Sequence, residues 1–189
     1  LAGKIRQIKA MAYSLSGKRI KLGEEFLTYN TRSGKNEKVI ASADYLFSPI
    51  RFLGKILMRG FDFVNQQTFF GAHLIEMYPE KIKAIVESEK TAIIGSIEKP
   101  EFVWLATGGQ FGCRWTSEEV YSILKGHKVV LFPDLKATED WKIKAEKLAA
   151  AGIDVSVYEK LEEEATAEDK TNGLDIADFF LRKRIEENP

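Results

Sequence analysis

The sequence is poor in cysteine and has no long apolar run. It contains one cysteine, Cys113, which excludes an internal disulfide framework and any zinc site built from several cysteines. A single thiol also favours a reducing compartment, so we expect a cytoplasmic protein. No apolar run reaches the ~18 residues of a membrane helix, and the first residues lack the apolar segment of a secretory signal. We therefore expect no membrane partner.

The loops that commonly bind nucleotides are also missing. No Gly-x-x-x-x-Gly-Lys-Ser/Thr loop is present, which excludes a P-loop ATPase, and no Gly-x-Gly-x-x-Gly follows the first predicted strand, which counts against dinucleotide binding. A flavodoxin-like or Rossmann-like domain for another small ligand stays open as an alternative. His73 and His127 are far apart and lack companion ligands, so we expect no metal at either. Cys113 has no evident histidine partner and is expected to be a buried or semi-exposed thiol.

Charge is balanced overall but unevenly distributed. The 189 residues include 28 Lys and Arg against 28 Asp and Glu. Residues 1–70 hold 12 basic and 5 acidic residues, a balance of +7, whereas residues 71–189 hold 16 and 23, a balance of −7. This asymmetry predicts two regions: a small basic α+β region over 1–70 and an α/β domain over 71–189 with a C-terminal helix.

The basic region suggests a partner. Its cations, with Lys18, Arg19 and Lys21 as a cluster, are interleaved with aromatic side chains. Positive charge neutralises phosphates and aromatic rings stack on bases, so this pattern is typical of a nucleic-acid surface. The alternative is a small domain with solvated lysines and its own aromatic core. Both interpretations remain open from the sequence.

Short apolar runs alternate with amphipathic segments beyond Pro79. This alternation predicts βαβ units and an α/β fold with a mostly parallel four-stranded sheet flanked by helices. We expect a mobile acidic loop over 159–173. The three tryptophans, Trp104, Trp115 and Trp141, are expected to be core residues rather than stacking platforms, with Trp115 as the best candidate for exposure. The predicted strands are 82–86, 102–106, 128–132 and 153–158, after a β-hairpin over 26–41. The predicted helices are 72–77, 88–97, 116–124 (opened by a capping box from Thr116 to Glu119), 138–151 and 174–185 (with Leu174, Ala177, Leu181 and Ile185 on one stripe).

Polar side chains follow three of the predicted strands, at the edge where an open α/β sheet binds its ligands. Glu87 follows the first strand and Asp134 the third. Carboxylates of this kind are the usual protein ligands of Mg²⁺. Backbone N–H groups in the turn after the second strand could cradle a phosphate. The phosphate or nucleic-acid candidates at this edge are Lys90, Thr107, Gly108, Gly109 and Lys136.

Four further carboxylates are weaker candidates. Glu139 and Asp140 follow the third strand closely and could supply a metal ligand, but acidic residues also suit the first turn of a helix because of its dipole. Asp175 and Asp178 lie three residues apart at the start of the last predicted helix. We expect Asp175 to cap that helix, and the pair could approach the sheet edge.

Four segments carry a family resemblance: residues 86–94, VESEKTAII; 104–109, WLATGG; 129–134, VVLFPD; and 173–180, GLDIADFF. In this order they resemble Toprim domains, whose first motif is a strand that ends in Glu and enters a helix, followed by two further strands and, in primase-type members, a tail like residues 173–180. Residues 69–74, FFGAHL, and 29–35, YNTRSGK, look like the primase-like proteins of bacterial mobile elements. The resemblance covers about residues 67–181, and the basic region loosely.

The resemblance implies a Toprim fold and Mg²⁺-assisted nucleotidyl or phosphoryl transfer on nucleic acid, here with single-stranded DNA as the expected partner. It implies an acid/base role and metal contact for Glu87 and a metal contact for Asp134. Further domains or a helicase partner are also implied, in replication or mobilisation of a mobile element. The oligomeric state is left open.

Two positions depart from the family pattern. The second Asp of the third motif is Lys136 here, and an Asp often found four residues after the first-motif Glu is Thr91. An ammonium directed into the site would oppose a cation, by roughly 4 kcal/mol per unit charge at 4 Å and an effective dielectric near 20. Lys136 could instead pair with Asp134 or contact phosphate itself. The alternative function is therefore a catalytically degenerate Toprim module that binds single-stranded DNA or a protein partner.

Overall fold

The computed structural model describes residues 20–21, 23–30, 33–41, 66–109 and 112–187. The chain divides into two units, one formed by residues 4–66 and the other by residues 1–3 and 67–189. Lys18 and Arg19 lie outside the described residues, whereas Lys21 is described and is exposed. Within the described part of the chain, none of the helices is long and apolar enough to cross a membrane.

The described part of the smaller unit is a β-hairpin. Strand β1 (Glu25–Asn30) pairs antiparallel with β2 (Lys35–Ile40). The register runs from Glu25 opposite Ile40 to Asn30 opposite Lys35, and the N–H of Ala41 donates to the carbonyl of Glu24 at 2.8 Å beyond the last pair. The predicted hairpin is therefore confirmed, with its second strand beginning earlier than the apolar residues alone indicated.

The larger unit is built on a parallel sheet of four strands. These are β3 (Ile82–Val86), β4 (Phe102–Ala106), β5 (Lys128–Leu131) and β6 (Asp154–Val157), in the spatial order β4-β3-β5-β6. The α/β class and the four-stranded parallel sheet are thus confirmed, with β3 and β4 bounded as predicted. Parallel strands covered on both faces are expected to be apolar throughout, and Ala84, Ile85 and Val86 are all fully buried.

Helices cover both faces of this sheet. Since neighbouring residues of a strand point to opposite faces, Ile85 and Ala84 belong to different cores. The helices are α1 (Leu74–Met77), α2 (Glu89–Glu98), α3 (Glu118–Tyr121, continued by a 3-10 turn over Ser122–Leu124), α4 (Thr138–Ala150), α5 (Lys160–Glu164), α6 (Ala167–Asn172) and α7 (Ile176–Glu187). Ile85 packs in the core that contains α1, α3 and α4, whereas Ala84 packs in the core that contains α2, α5 and α7.

The loop prediction for residues 159–173 is wrong, because α5 and α6 occupy most of this segment. Leu161 is 4% exposed and anchors α5 in the core. Thr166 and Asp169 form a reciprocal capping box at the start of α6. Asp169 also binds the guanidinium of Arg182 in α7 at 2.5 Å. One apolar anchor and one partly exposed ion pair thus order a segment whose composition is that of a solvated loop.

Two smaller predictions are also wrong. Helix α3 begins after Ser117 and no side chain caps it, so Thr116 and Glu119 do not form a capping box. On α7, Leu181 and Ile185 are exposed while Ile176 and Ala177 are buried, so the buried stripe is displaced from the predicted one.

The prediction that the tryptophans belong to the core is confirmed. Trp104, Trp115 and Trp141 are 2%, 6% and 3% exposed. Trp115 packs against Trp141 with ring centroids 5.0 Å apart.

A close approach between α2 and β4 fixes the position of α2 on the sheet. A Cβ at Gly95 would lie 2.5 Å from the Trp104 ring, so only glycine fits where the helix crosses the strand. The indole N–H of Trp104 donates to the carbonyl of Lys99, the residue that ends α2, at 2.9 Å. These contacts hold the C-terminal half of α2 against β4.

Candidate functional site

The strand order places a ligand crevice between β3 and β5. The chain runs from β3 outward to β4 and then crosses back to β5 on the other side of β3. In open α/β sheets, ligands bind outside the carboxyl ends of the strands at such a switch point. Glu87 directly follows β3, and Asp134 follows β5 after Phe132, whose N–H still donates to Ile85 at 2.8 Å. The two predicted acidic residues therefore lie at one edge, on neighbouring strands.

Asp134 is the most perturbed carboxyl at this edge. Its side chain accepts no hydrogen bond from the described residues. Burial, and then the negative charges of Glu87, Asp175 and Asp178, raise its pKa to about 7, while the cation of Lys90 opposes this rise. A carboxyl that titrates near neutrality can gain or lose a proton at physiological pH. We call Glu87, Asp134, Asp175 and Asp178 the carboxylate cluster.

The start of α7 brings two aspartates into the carboxylate cluster. The N–H of Leu135 donates to the carbonyl of Leu174 at 3.2 Å, which ties the segment after β5 to the residue before Asp175. Oδ1 of Asp175 accepts from the N–H groups of Ala177 and Asp178 at 2.9 and 3.1 Å. In return, Oδ2 of Asp178 accepts from the N–H of Asp175 at 2.9 Å, which completes a capping box. The expected cap and the expected approach to the sheet edge are both present.

A chain of hydroxyl groups joins α2 to Asp175. Thr91 Oγ1 donates to Asp175 Oδ2 at 2.5 Å. Because the single hydroxyl proton of Thr91 is used in that bond, Ser88 is the donor in the 2.8 Å contact between the Ser88 and Thr91 hydroxyls. Ser88 also caps α2 by accepting from the N–H of Thr91 at 3.1 Å. Asp175 is therefore held by groups from two different helices.

The glycine turn after β4 encloses the backbone of Glu87. Gly108 and Gly109 both donate their N–H groups to the carbonyl of Glu87 at 3.0 Å, and the Thr107 hydroxyl lies 3.3 Å from the same oxygen. The left-handed Gly109 (φ 89°) lies beside the Glu87 side chain. A phosphate cradle formed by these N–H groups has no support in the structure, because both are engaged within the protein.

The remaining candidates at this edge face different partners. Lys136 is exposed, adopts a left-handed φ of 71°, and donates its N–H to Glu162 Oε2 at 2.9 Å. Glu139 pairs with Lys142 at 2.9 Å, and Asp140 pairs with Lys144 at 2.5 Å, on the surface of α4. The structure therefore does not bring Glu139 or Asp140 into the carboxylate cluster. The cation that acts on Asp134 is Lys90, from the first turn of α2.

The carboxylates at the sheet edge meet some of the requirements of a Mg²⁺ site. Among the described residues, no group of three or more His, Cys, Asp and Glu side chains could hold a metal ion. Mg²⁺, however, is commonly held by one or two carboxylates and completes its shell with waters and substrate phosphates. The Asp134 side chain accepts no hydrogen bond from the described residues, and Glu87 is half-buried and acts on it as a negative charge. These two residues fit an ion shared with a substrate, but not an ion enclosed by protein ligands.

The histidines and the cysteine are not part of the carboxylate cluster. His73 is exposed, and His127 Nδ1 lies 3.3 Å from the carbonyl of Pro79, before β3. Cys113 is buried, in agreement with the expectation of a buried or semi-exposed thiol. Burial raises the pKa of its thiol to about 12, which lowers the fraction of the reactive thiolate at neutral pH.

Sequence reasoning missed the contacts that two polar residues make. The first is Thr91, whose contact with Asp175 spans 84 positions and has no local signal. The second is Lys83, a fully buried lysine in β3. Its ammonium donates to the carbonyls of Tyr78, Pro79 and Lys81 at 2.7, 3.1 and 2.5 Å, and burial lowers its pKa. The sequence did hold a signal for this contact, because Lys83 is a charged residue within an otherwise apolar segment of five residues.

Comparison with known proteins gives the family. A search of the curated proteins and a search of the solved structures each found no match. The model of one family, described as "Domain of unknown function (DUF6371)", matches residues 1–135, which is more than half of the chain. The match includes the basic region and the larger unit as far as Leu135. The chain therefore belongs to the DUF6371 family.

Proposed function

We propose that this protein is a primase-like Toprim protein that binds nucleic acid and acts on phosphate groups at the crevice between β3 and β5. The observation that carries the proposal is the position of Glu87 and Asp134 on either side of the switch point, with Asp134 titrating at about 7. The order of the motifs along the chain supports the same proposal. The proposed setting is the replication or mobilisation of a mobile element, with single-stranded DNA as the partner.

In this proposal the two acidic residues have different tasks. Glu87 is the catalytic acid/base, because it is half-buried and directly follows the central strand β3. Asp134 holds or releases a proton near neutral pH, and its ionised form would help to hold the metal. Lys90 supplies positive charge beside the cluster and would attract a phosphate. Mg²⁺, held by Asp134 and Glu87, would neutralise phosphate oxygens and orient the substrate.

A second candidate is a Toprim-like module that binds single-stranded DNA or a protein partner without catalysis. It is favoured by the hydroxyl at Thr91, by Lys136 in place of a second Asp, and by the absence of a three-ligand metal group among the described residues. A small-ligand domain with the same strand order is less favoured, because the N–H groups of Gly108 and Gly109 are engaged with Glu87.

A titration of Mn²⁺ or Mg²⁺ followed by calorimetry tests the catalytic proposal. We expect the wild-type protein to bind the ion and Glu87→Gln and Asp134→Asn to bind it more weakly. Asp140→Asn is the matched control, because Asp140 is an exposed carboxylate paired with Lys144. Equal and negligible binding by all four proteins would refute a metal-dependent activity.

Binding of fluorescent single-stranded DNA at several salt concentrations tests the second candidate. Two results together would support this candidate. The protein should bind single-stranded DNA without a metal ion, and removal of the charges at Lys18, Arg19 and Lys21 should reduce the slope of log affinity against log salt concentration by about 0.7 for each lost phosphate contact. A slope unchanged by these substitutions would exclude this surface from the contact.

A further inference from the structure

We propose that Glu162 is a positioning residue of the crevice, whose carboxylate holds a strained turn and thereby fixes the backbone of Asp134. The inference rests on the proposed function, because it describes how one of the two acidic residues of that site is held in place. It gives a task to α5, a helix that contributes no side chain to the carboxylate cluster.

Asp134 begins a tight turn in which Lys136 has a strained backbone. The N–H of Ala137 donates to the carbonyl of Asp134 at 3.0 Å, so residues 134–137 form a β-turn. Lys136 is the third residue of this turn, and its φ of 71° is the single left-handed φ of a non-glycine residue in the described part of the chain. A left-handed third residue is the type II pattern, which favours glycine or asparagine. A Cβ makes this conformation on the order of ten-fold less populated than it is for glycine.

A hydrogen bond from the backbone imposes this conformation on Lys136. The Lys136 side chain is exposed, so its packing does not hold the strained φ in place. The N–H of Lys136 donates to Glu162 Oε2 at 2.9 Å. Hydrogen bonds that involve a charged group are roughly twice as strong as those between neutral groups, so this bond offsets the strain. Without the carboxylate, the turn would relax to a conformation that suits a lysine.

Glu162 is the side-chain acceptor among the groups that bind this turn. The neighbouring N–H, that of Leu135, donates to the backbone carbonyl of Leu174 at 3.2 Å, and this acceptor remains in any variant. The acceptor of Lys136 is a side chain, so one substitution removes it. The Asp134 side chain accepts no hydrogen bond from the described residues. The direction of its carboxyl group therefore depends on the backbone that Glu162 holds.

Glu162 is itself held in place from several sides. The ammonium of Lys170, in α6, lies 3.2 Å from Oε1 of Glu162. The hydroxyl of Thr138, the first residue of α4, lies 3.4 Å from Oε2. The preceding residue, Leu161, is 4% exposed and anchors α5 in the core. The turn is therefore bound to an acceptor whose own position is fixed by three elements of the fold.

The experiment compares Glu162→Met, which removes the acceptor, with Glu162→Gln, which removes the charge but keeps an acceptor oxygen. A double variant adds Lys136→Gly to Glu162→Met and so removes the strain, because glycine adopts a left-handed φ readily. Glu163→Met is the matched control, since Glu163 is an exposed glutamate on the same helix. Urea unfolding shows which variants fold.

Two readouts by nuclear magnetic resonance are recorded in metal-free protein at one pH, near about 5. There the raised pKa of Asp134 keeps it protonated and the lowered pKa of Glu162 keeps it ionised. The first readout is the side-chain carboxyl signal of Asp134, which is assigned by its absence from Asp134→Asn. The second is the Lys136 amide, through its hydrogen exchange and through the close contact between its amide and α protons that a left-handed residue shows.

We expect Glu162→Met to speed exchange of the Lys136 amide about 10- to 100-fold, which corresponds to the loss of one hydrogen bond to a charged group. The left-handed contact at Lys136 should be lost and the Asp134 signal should move. Glu162→Gln and Glu163→Met should keep both the contact and the signal. The double variant should return the Asp134 signal to its wild-type position.

An unmoved Asp134 signal in Glu162→Met refutes the positioning role, and so does a Glu162→Gln variant that behaves like Glu162→Met. If Glu162→Met does not fold, the double variant decides. A wild-type Asp134 signal in the double variant then supports the role, whereas a shifted signal or an unfolded protein refutes it.

The positioning role and the proposed function fail separately. The two readouts need neither a metal ion nor nucleic acid, so a wild type that binds no Mg²⁺ or Mn²⁺ refutes the metal-dependent function and leaves the positioning result intact. Conversely, an Asp134 signal that does not depend on Glu162 refutes the positioning role, while the metal titration still decides the function.

Discussion

Replacing Asp134 with Asn should stabilise the protein at alkaline pH and leave its stability nearly unchanged at acidic pH. The folded state raises the pKa of Asp134 from 3.8 to about 7. At about 1.4 kcal/mol per unit, this rise corresponds to about 4 kcal/mol. A carboxyl with a raised pKa favours the folded state only while it is protonated. The wild type should therefore lose this stability as the pH rises from about 4 to about 7.

Urea unfolding between pH 4 and pH 8.5 measures this effect directly. The difference in unfolding free energy between Asp134→Asn and the wild type should grow by about 1.4 kcal/mol per pH unit and level off above pH 7. The control, Asp140→Asn, removes an exposed carboxylate in a surface ion pair and should give a small difference that is flat with pH. A flat difference for Asp134→Asn, or a wild type that is the more stable protein at pH 8, would show that Asp134 is not held in a buried, negatively charged environment.

Repeating the urea unfolding in the presence of Mg²⁺ gives an independent test of the site. An ion that binds only the folded, ionised site stabilises it by about 2.7 kcal/mol when its concentration is 100 times Kd. At pH 8 this gain should appear in the wild type and be much smaller in Asp134→Asn. Stabilisation of both proteins to the same degree would place the ion elsewhere.

Three further predictions concern the fold that supports the site. Gly95→Ala should lower the unfolding free energy by about 1–3 kcal/mol despite alanine's better helix propensity, because its Cβ would lie 2.5 Å from the Trp104 ring. Calorimetry measures the cost, with Ser96→Ala at the exposed neighbouring position as the control. Equal melting midpoints for the two variants would refute the prediction. Lys83→Met should destabilise by about 1–3 kcal/mol in urea, because three carbonyls lose their donor, whereas Lys81→Met, which removes a single exposed bond to Pro100, should cost less. Arg182 and Thr166 hold the pKa of Asp169 below its usual range. The stability that the Asp169–Arg182 pair contributes is therefore present above about pH 4 and is lost as the pH falls further. Arg182→Gln should lose less stability than the wild type on acidification, and parallel acid-unfolding curves for the two proteins would show that the pair contributes little.

The sheet could be predicted from the sequence because its strands are buried on both faces. Ile82–Val86 is apolar except for Lys83 and is followed by the charged Glu87, so the bounds of β3 follow from composition. The edge that carries Glu87 and Asp134 follows in turn, since parallel strands share their carboxyl ends. Those steps need only local pattern and topology.

Other features depend on contacts that a local pattern does not contain. Residues 159–173 are polar, and their two short helices are ordered by Leu161 in the core and by Arg182 on another helix. On α7 the half-buried Phe180, which packs edge-on to Trp104, shifts the buried face away from Leu181. The bond from Thr91 to Asp175 joins residues 84 positions apart, and a threonine in the first turn of a helix gives no indication of a distant acceptor.

The buried ammonium of Lys83 makes this residue a natural reporter of global opening. Three carbonyls occupy its three protons and its side chain has no exposed surface, so an amine-reactive reagent cannot modify it until β3 leaves the sheet. Lysines on the surface would react at once, whereas Lys83 would acquire the label only at the rate at which the whole larger unit unfolds. Mass spectrometry of that single peptide would then time the unfolding of the scaffold without any engineered probe.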